Sequence, residues 1–247
     1  MKNTGILRAS LYQSHPVEVI MKRLHVVIPV LCLVAVFSSH VLTQPAFRTM
    51  YVAERSGLNL REKSDAAAKR LLSVPYGTKL QVSNTGVFGE AEGIKDTWYK
   101  TSYNGKEGYL LGVYLSSMPT PQASCGSYYC YFGWLTGTKD EGKMRNILEQ
   151  KYGISYNEGG KTCVSGYITG FGSLPLKDAF LLTRLLYGKE FPALNQKFSS
   201  IAKIDSDGSV SISMTKKIPG GFKEIAIYKR GNSISFEELD NADPCGP

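Results

Sequence analysis

The sequence predicts a small all-β barrel followed by an α+β domain, with two helices on a small antiparallel sheet. Three observations carry that reading. Residues 98–109, Trp-Tyr-Lys-Thr-Ser-Tyr-Asn-Gly-Lys-Glu-Gly-Tyr, alternate apolar and polar up to an Asn-Gly pair. Asn-Gly suits a type I′ hairpin, because both central positions need positive φ. Past residue 122 two helical periodicities precede three strand-like runs, the order expected of an α+β unit. Between the halves lies Met118-Pro119-Thr120-Pro121-Gln122, which reads as a short, semi-stiff linker.

The chain opens on a leader. Met21-Lys22-Arg23-Leu24-His25 is a basic start, Val26–Phe37 an apolar run of 12 residues, and Ser38, Ser39 and Thr43 follow. That is the layout of a secretory signal peptide over 21–43, and the run is too short to span a bilayer comfortably. Residues 1–20 read as an over-extended start. Cleavage after Ser38 or Thr43 is the expectation, and retention of the leader as an anchor is its rival. Cys32 sits within the apolar run and reads as part of it.

In the first unit, 47–117, Arg48–Ala53 is expected to be an opening strand and Leu58-Asn59-Leu60-Arg61 a second. Residues 64–73 are helix-prone, and Pro75-Tyr76-Gly77-Thr78 is a turn feeding the strand Lys79–Ser83. Residues 84–96, rich in Gly and acidic groups, read as a long mobile hairpin loop. The Trp98 hairpin and Val113-Tyr114-Leu115 then close a barrel of about five strands. In the second unit, 123–247, Lys139–Tyr152 places Met144, Ile147, Leu148 and Tyr152 at helical spacing, with Asp140 and Glu141 suited to its first turn. Leu176–Tyr187 is a Leu-rich helix ended by Gly188. Strands are expected at Ser209–Thr215, Glu224–Lys229 and Ser233–Glu237, separated by Gly-containing turns.

Ser56-Gly57-Leu58-Asn59-Leu60-Arg61-Glu62 together with the Trp98–Tyr109 run resembles the bacterial SH3 (SH3b) domain. The usual pattern there is a Leu-Asn-Val-Arg-like opening, a Gly-Thr-x-Val strand and Trp-x-Lys-Val-x-Tyr-Asn-Gly-x-x-Gly-Tyr. The resemblance covers 47–117 and implies an SH3-like barrel. It also implies a binding module of an exported bacterial protein, engaging peptidoglycan or another cell-envelope ligand. Residues 123–247 carry no family resemblance.

Within the first unit, Tyr51, Trp98, Tyr99, Tyr103, Tyr109 and Tyr114 form an aromatic set able to hold a sugar ring or peptide stem. Strand alternation must bury half of them. Trp98, Tyr109 and Leu60 are expected inside; Tyr51, Tyr103 and Tyr114 are the expected ligand-binding residues of an exposed groove. The partners that follow are a cell-wall peptide or glycan, or an envelope protein. The membrane enters only through a retained leader.

Four cysteines follow the leader: Cys125, Cys130, Cys163 and Cys245. An even number in an exported protein reads as two disulfides. Cys125–Cys130 as a local clip with Cys163–Cys245 as the long-range bond is favoured. The alternatives pair each of the first two with a distant partner. The spacings lack the close second pair of a four-cysteine zinc site, so no metal and no cofactor is expected. Asp205-Ser206-Asp207-Gly208-Ser209 looks like the start of a calcium loop but lacks the closing Glu, so a turn is expected. Glu237, Glu238 and Asp240 read as a solvated acidic patch.

The three histidines are His15, His25 and His40, leaving none in 41–247. Cys-His, Ser-His-Asp and His-zinc chemistries are thereby excluded from that stretch, and no catalytic residue is expected. Net charge is +8. Without residues 1–38, which hold four basic side chains and one acidic, 25 basic face 20 acidic, or +5. So mild and scattered an excess fits weak attraction to anionic envelope polymers and excludes a nucleic-acid footprint. The expected function is a non-catalytic binding protein, periplasmic or at the cell surface. A secreted adhesin and a histidine-independent cell-wall hydrolase are the alternatives.

Overall fold

The computed structural model describes residues 46–161, 164–172 and 174–242. The leader, Cys163 and Cys245 lie outside the described residues, and with them the expectations that fall there. The described residues form one compact unit built on two antiparallel sheets.

The first sheet is a curled half-barrel of seven strands: β1 Phe47–Val52, β2 Leu58–Arg61, β3 Arg70–Val74, β4 Lys79–Ala91, β5 Ile94–Tyr103, β6 Lys106–Leu111 and β7 Leu115–Ser116. They lie in the order β3-β2-β6-β5-β4-β1-β7. Met50, Val52, Leu58, Leu60, Val74, Leu80, Val82, Tyr99, Leu110 and Leu115 fill its concave core. The Asn104-Gly105 turn takes φ of 48° and 72°, as a type I′ connection requires.

Two segments differ from expectation. Part of the helix-prone stretch is strand β3, paired with β2 from Leu58↔Val74 to Arg61↔Arg70, so the exposed β2 edge overrides local propensity. The expected loop 84–96 is the far half of a long hairpin, β4–β5. A register shift between Asn84 and Phe88 breaks the alternation, and Glu92-Gly93 turns the chain at φ 55° and 77°.

Among the described residues the second lobe has four α-helices, α1 Tyr128–Thr136, α2 Glu141–Tyr152, α3 Leu176–Tyr187 and α4 Phe198–Ile201. Its sheet has six strands: β8 Ser155–Lys161, β9 Val164–Gly170, β10 Lys203–Ile204, β11 Val210–Ile218, β12 Gly221–Arg230 and β13 Ser233–Ala242. The order is β10-β11-β12-β13-β9-β8. The α+β class is as expected, enlarged by α1 and the β8–β9 hairpin. Asp140 caps α2 by accepting from Lys143 N at 3.0 Å, and Gly153 closes it at φ 63°. Tyr128 of α1 centres an aromatic core, with ring centroids 4.6 Å from Phe236, 5.2 Å from Phe132 and 5.4 Å from Phe171.

Helix α3 joins the lobes. It is buried on nearly all sides, Asp178 and Thr183 included, because it packs on both lobes at once. Leu181 and Leu185 pack on Ala53 and Tyr76 of the half-barrel, while Ala179, Leu182, Leu186 and Tyr187 enter the second core. Residues 118–122 are held between the lobes: Met118 joins the second core, Tyr131 Oη donates to Pro119 O at 2.5 Å, and Tyr76 Oη donates to Pro121 O at 2.7 Å. The tip of the β4–β5 hairpin also reaches across. Phe198 N donates to Glu92 O at 2.9 Å, and Ile94 packs on the second core.

Candidate functional site: an aromatic cavity rimmed by carboxylates

Trp98 of β5 and Leu111 of β6 are directly opposed across the strand pair, on the convex face of the half-barrel. With Val113 they form a small cluster apart from the concave core, flanked by Ala91, Ile94, Tyr109 and Tyr114. The cluster exists because the β4–β5 hairpin curls over it at Gly89. A Cβ there would lie 2.6 Å from Trp98 Nε1 and 2.8 Å from Leu111 Cδ1, so only glycine lets the strand approach so closely.

Beside this cluster is a cavity of about 350 Å³. Trp98, Leu111 and Tyr114 give it an apolar floor, and Glu54, Glu90 and Glu92 rim it on the acidic side. Arg61 is the cation on its lining, and its guanidinium donates to Ala68 O at 2.7 Å. Glu54 is oriented by two bonds it accepts, from Ser56 N at 3.2 Å and Ser56 Oγ at 3.0 Å. Burial, with the carboxylates of Glu92 and Glu54, raises the Tyr114 phenol above its ordinary value, so it stays a neutral donor at physiological pH. Glu54 and Glu90, with Glu92 shared with Arg184, stand beside the half-buried Tyr114 ring and suit an ammonium or guanidinium group.

Of the three expected ligand-binding residues, Tyr114 alone lines this cavity. Tyr51 is half-buried on β1, opposite Lys79 of β4 and Ser116 of β7. Tyr103 packs on the concave core at the end of its hairpin. Trp98 and Leu60 are buried, on opposite faces of the sheet, and Tyr109 is half-buried beside Trp98. The rim carboxylates escaped sequence reasoning because Glu90 and Glu92 fall in the stretch that reads as loop.

Elsewhere, Cys125 and Cys130 are disulfide-bonded, with Cα atoms 5.4 Å apart. Residues 205–209 are a turn, closed by Asp205 N to Ser209 O at 2.9 Å. The expected acidic patch is corrected at Glu238. Its carboxylate points inward, accepting from Tyr187 Oη at 2.5 Å and pairing with Lys223 Nζ at 2.9 Å. Among the described residues no group of three or more His, Cys, Asp or Glu side chains could hold a metal ion.

Residues 56–116 match the family described as bacterial SH3 domain, a span that runs from β2 to β7 and holds most of the cavity lining. No curated protein and no solved structure matches the chain. The half-barrel is thus a bacterial SH3 domain, and this domain with the disulfide is consistent with an exported protein. No helix among the described residues is long and apolar enough to cross a membrane.

Proposed function

We propose that the protein is a non-catalytic binding protein of the bacterial envelope, holding a peptidoglycan component in the cavity over Trp98 and Tyr114. The carrying observation is the cavity itself: an aromatic floor with carboxylate rim, built almost entirely from the bacterial SH3 domain. Domains of this family suggest cell-wall binding in general. Peptidoglycan is the ligand that fits best, because its peptide stems offer both amines for Glu54, Glu90 and Glu92 and apolar surface for the rings. The signal-peptide layout of residues 21–43 and the disulfide support an exported, oxidising location.

Retention on purified wall sacculi tests this. Wild-type protein and Lys106→Ala, an exposed change at the β5–β6 turn outside the cavity, are expected to co-sediment. Tyr114→Ala and Glu90→Lys are expected to lose most of that retention. Failure of the wild type to sediment, or full retention of both cavity variants, overturns the assignment.

A further inference from the structure

The cavity over Trp98 adjoins two others. It shares Glu54 and Glu92 with a cavity of about 220 Å³ that is also lined by Arg55, Arg184, Leu185 and Asn195. Those four residues in turn line a third, of about 820 Å³, which extends over the second lobe past Gly126, Lys189 and Lys216. Their shared residues place the three side by side, a row called the groove below, from the half-barrel to the second lobe past the end of helix α3.

The lining changes sign along the groove. Over the half-barrel three carboxylates accompany one cation, Arg61. Over the second lobe Arg55, Arg184, Lys189 and Lys216 accompany one carboxylate, Glu190. Some of this charge is already engaged. Arg184 pairs with Glu92 where the segments meet, Arg55 donates to Leu185 O at 2.6 Å, and Lys216 is 3.7 Å from Glu190. Glu90 and Lys189, one near each end, have no partner of opposite charge among the described residues. Both are exposed and available to a ligand.

We propose that the whole groove takes one extended zwitterionic peptide, with an amine-bearing side chain among Glu54, Glu90 and Glu92 and a free carboxylate at Lys189 and Lys216. This rests on the envelope-binding reading above and gives the second lobe half of the site. The sign change selects the class of ligand. A polyanion such as a phosphate polymer is repelled at the half-barrel end, and a polycation at the other. A chain carrying both charges in the right order satisfies both ends, and the wrong order is penalised twice.

Calorimetric titration with acetyl-Ala-Gln-Lys-Ala-Ala, which has one amine and one free carboxylate, tests the proposal. Wild-type protein is expected to bind it at least tenfold more tightly than either its C-terminal amide or its Nε-acetyl-lysine form. Lys189→Glu combined with Lys216→Glu is expected to abolish the preference for acid over amide and keep the preference for free amine. Glu90→Lys is expected to do the reverse. Equal binding of the three peptides, no binding of any, a preference for inorganic polyphosphate, or unchanged selectivity in the variants each overturns the proposal. Sacculus retention separates the two levels. If Tyr114-dependent retention survives the double lysine change undiminished, the groove fails and envelope binding stands; if the wild type is not retained, the envelope reading falls as well.

Discussion

Lys177 Nζ lies 3.0 Å from a carboxylate oxygen of Asp96, a link from the first turn of α3 to strand β5 of the half-barrel. The same ammonium donates to Gly112 O at 2.8 Å and Leu115 O at 2.6 Å. Next to it, buried Asp178 accepts from Ser117 N at 2.8 Å and Ser117 Oγ at 2.5 Å. These bonds gather the end of the bacterial SH3 domain around one helix terminus. Acidic Asp178 in that first turn is also favoured by the helix dipole.

Replacing Lys177 by Met is therefore expected to cost about 3 kcal/mol, because Asp96 and two carbonyls lose their ammonium and Asp178, 3.1 Å from the same Nζ, keeps only its Ser117 bonds. Both lobes are expected to unfold together. The two tryptophans, Trp98 in the half-barrel and Trp134 at the end of α1, allow the check. In single-tryptophan variants the urea midpoints reported by each indole should coincide, and should shift equally on Lys177→Met.

The hairpin tip gives a second test. Gly93 and Gly105 occupy similar turn positions, at φ 77° and 72°. A Cβ on Gly93 would lie 2.3 Å from Ser199 Oγ, whereas one on Gly105 meets nothing within 4 Å. Both Gly→Ala changes carry a backbone penalty of about 1 kcal/mol. Gly93→Ala is expected to lose roughly 1–2 kcal/mol more, since α4 must move away. Equal losses in chemical denaturation would show that the tip does not press on α4.

The Cys125–Cys130 bond closes a short loop, with a sequence separation of 5. Loop-closure entropy for so few residues gives about 2 kcal/mol of stabilisation. Cys125→Ala/Cys130→Ala is expected to lower the urea midpoint accordingly and still reach the same native circular dichroism. Peptide mapping under non-reducing conditions checks the pairing.

Alkali is expected to unfold the protein, the second lobe supplying the titrating groups. Burial raises the phenols of Tyr128, Tyr131 and Tyr187 well above 10, Glu238 adding to the effect at Tyr187. Burial works against the Lys223 charge, but hydrogen bonds to Glu238 and Glu190 outweigh it and raise that group too. A raised folded-state value means stability that is complete below about pH 10 and is lost as pH climbs through the folded values. Absorbance at 295 nm should show the buried tyrosines ionising late, in one step with loss of near-ultraviolet dichroism. Gradual ionisation without unfolding would contradict this burial.

What the sequence disclosed follows from which signals are local. The Trp98–Tyr109 hairpin was legible because alternation and Asn104-Gly105 both act over a few residues. Helix α2 was legible through its caps and Met144/Leu148 spacing. Helix α1 was not: Tyr-Tyr-Cys-Tyr-Phe-Gly-Trp-Leu is aromatic on most sides and shows no clear period. The β4–β5 extension was hidden by its register shift and glycines, and with it went Glu90 and Glu92. Tyr114 stood out by its chemistry and lines the cavity. Glu54, like the cationic end of the groove, depends on contacts between distant segments that no local pattern records.

The crossing of the β4–β5 hairpin to the second lobe bears on how such proteins are dissected. A recombinant fragment ending at residue 117 would keep every strand matched by the family yet lose the seat of its longest hairpin. Ile94 and the Glu92 carbonyl would then meet water in place of α4, and Asp96 would be left without its ammonium. Sacculus retention by such a fragment would thus test a rim without its support, so the proposed wall binding is to be measured on the two-lobed chain.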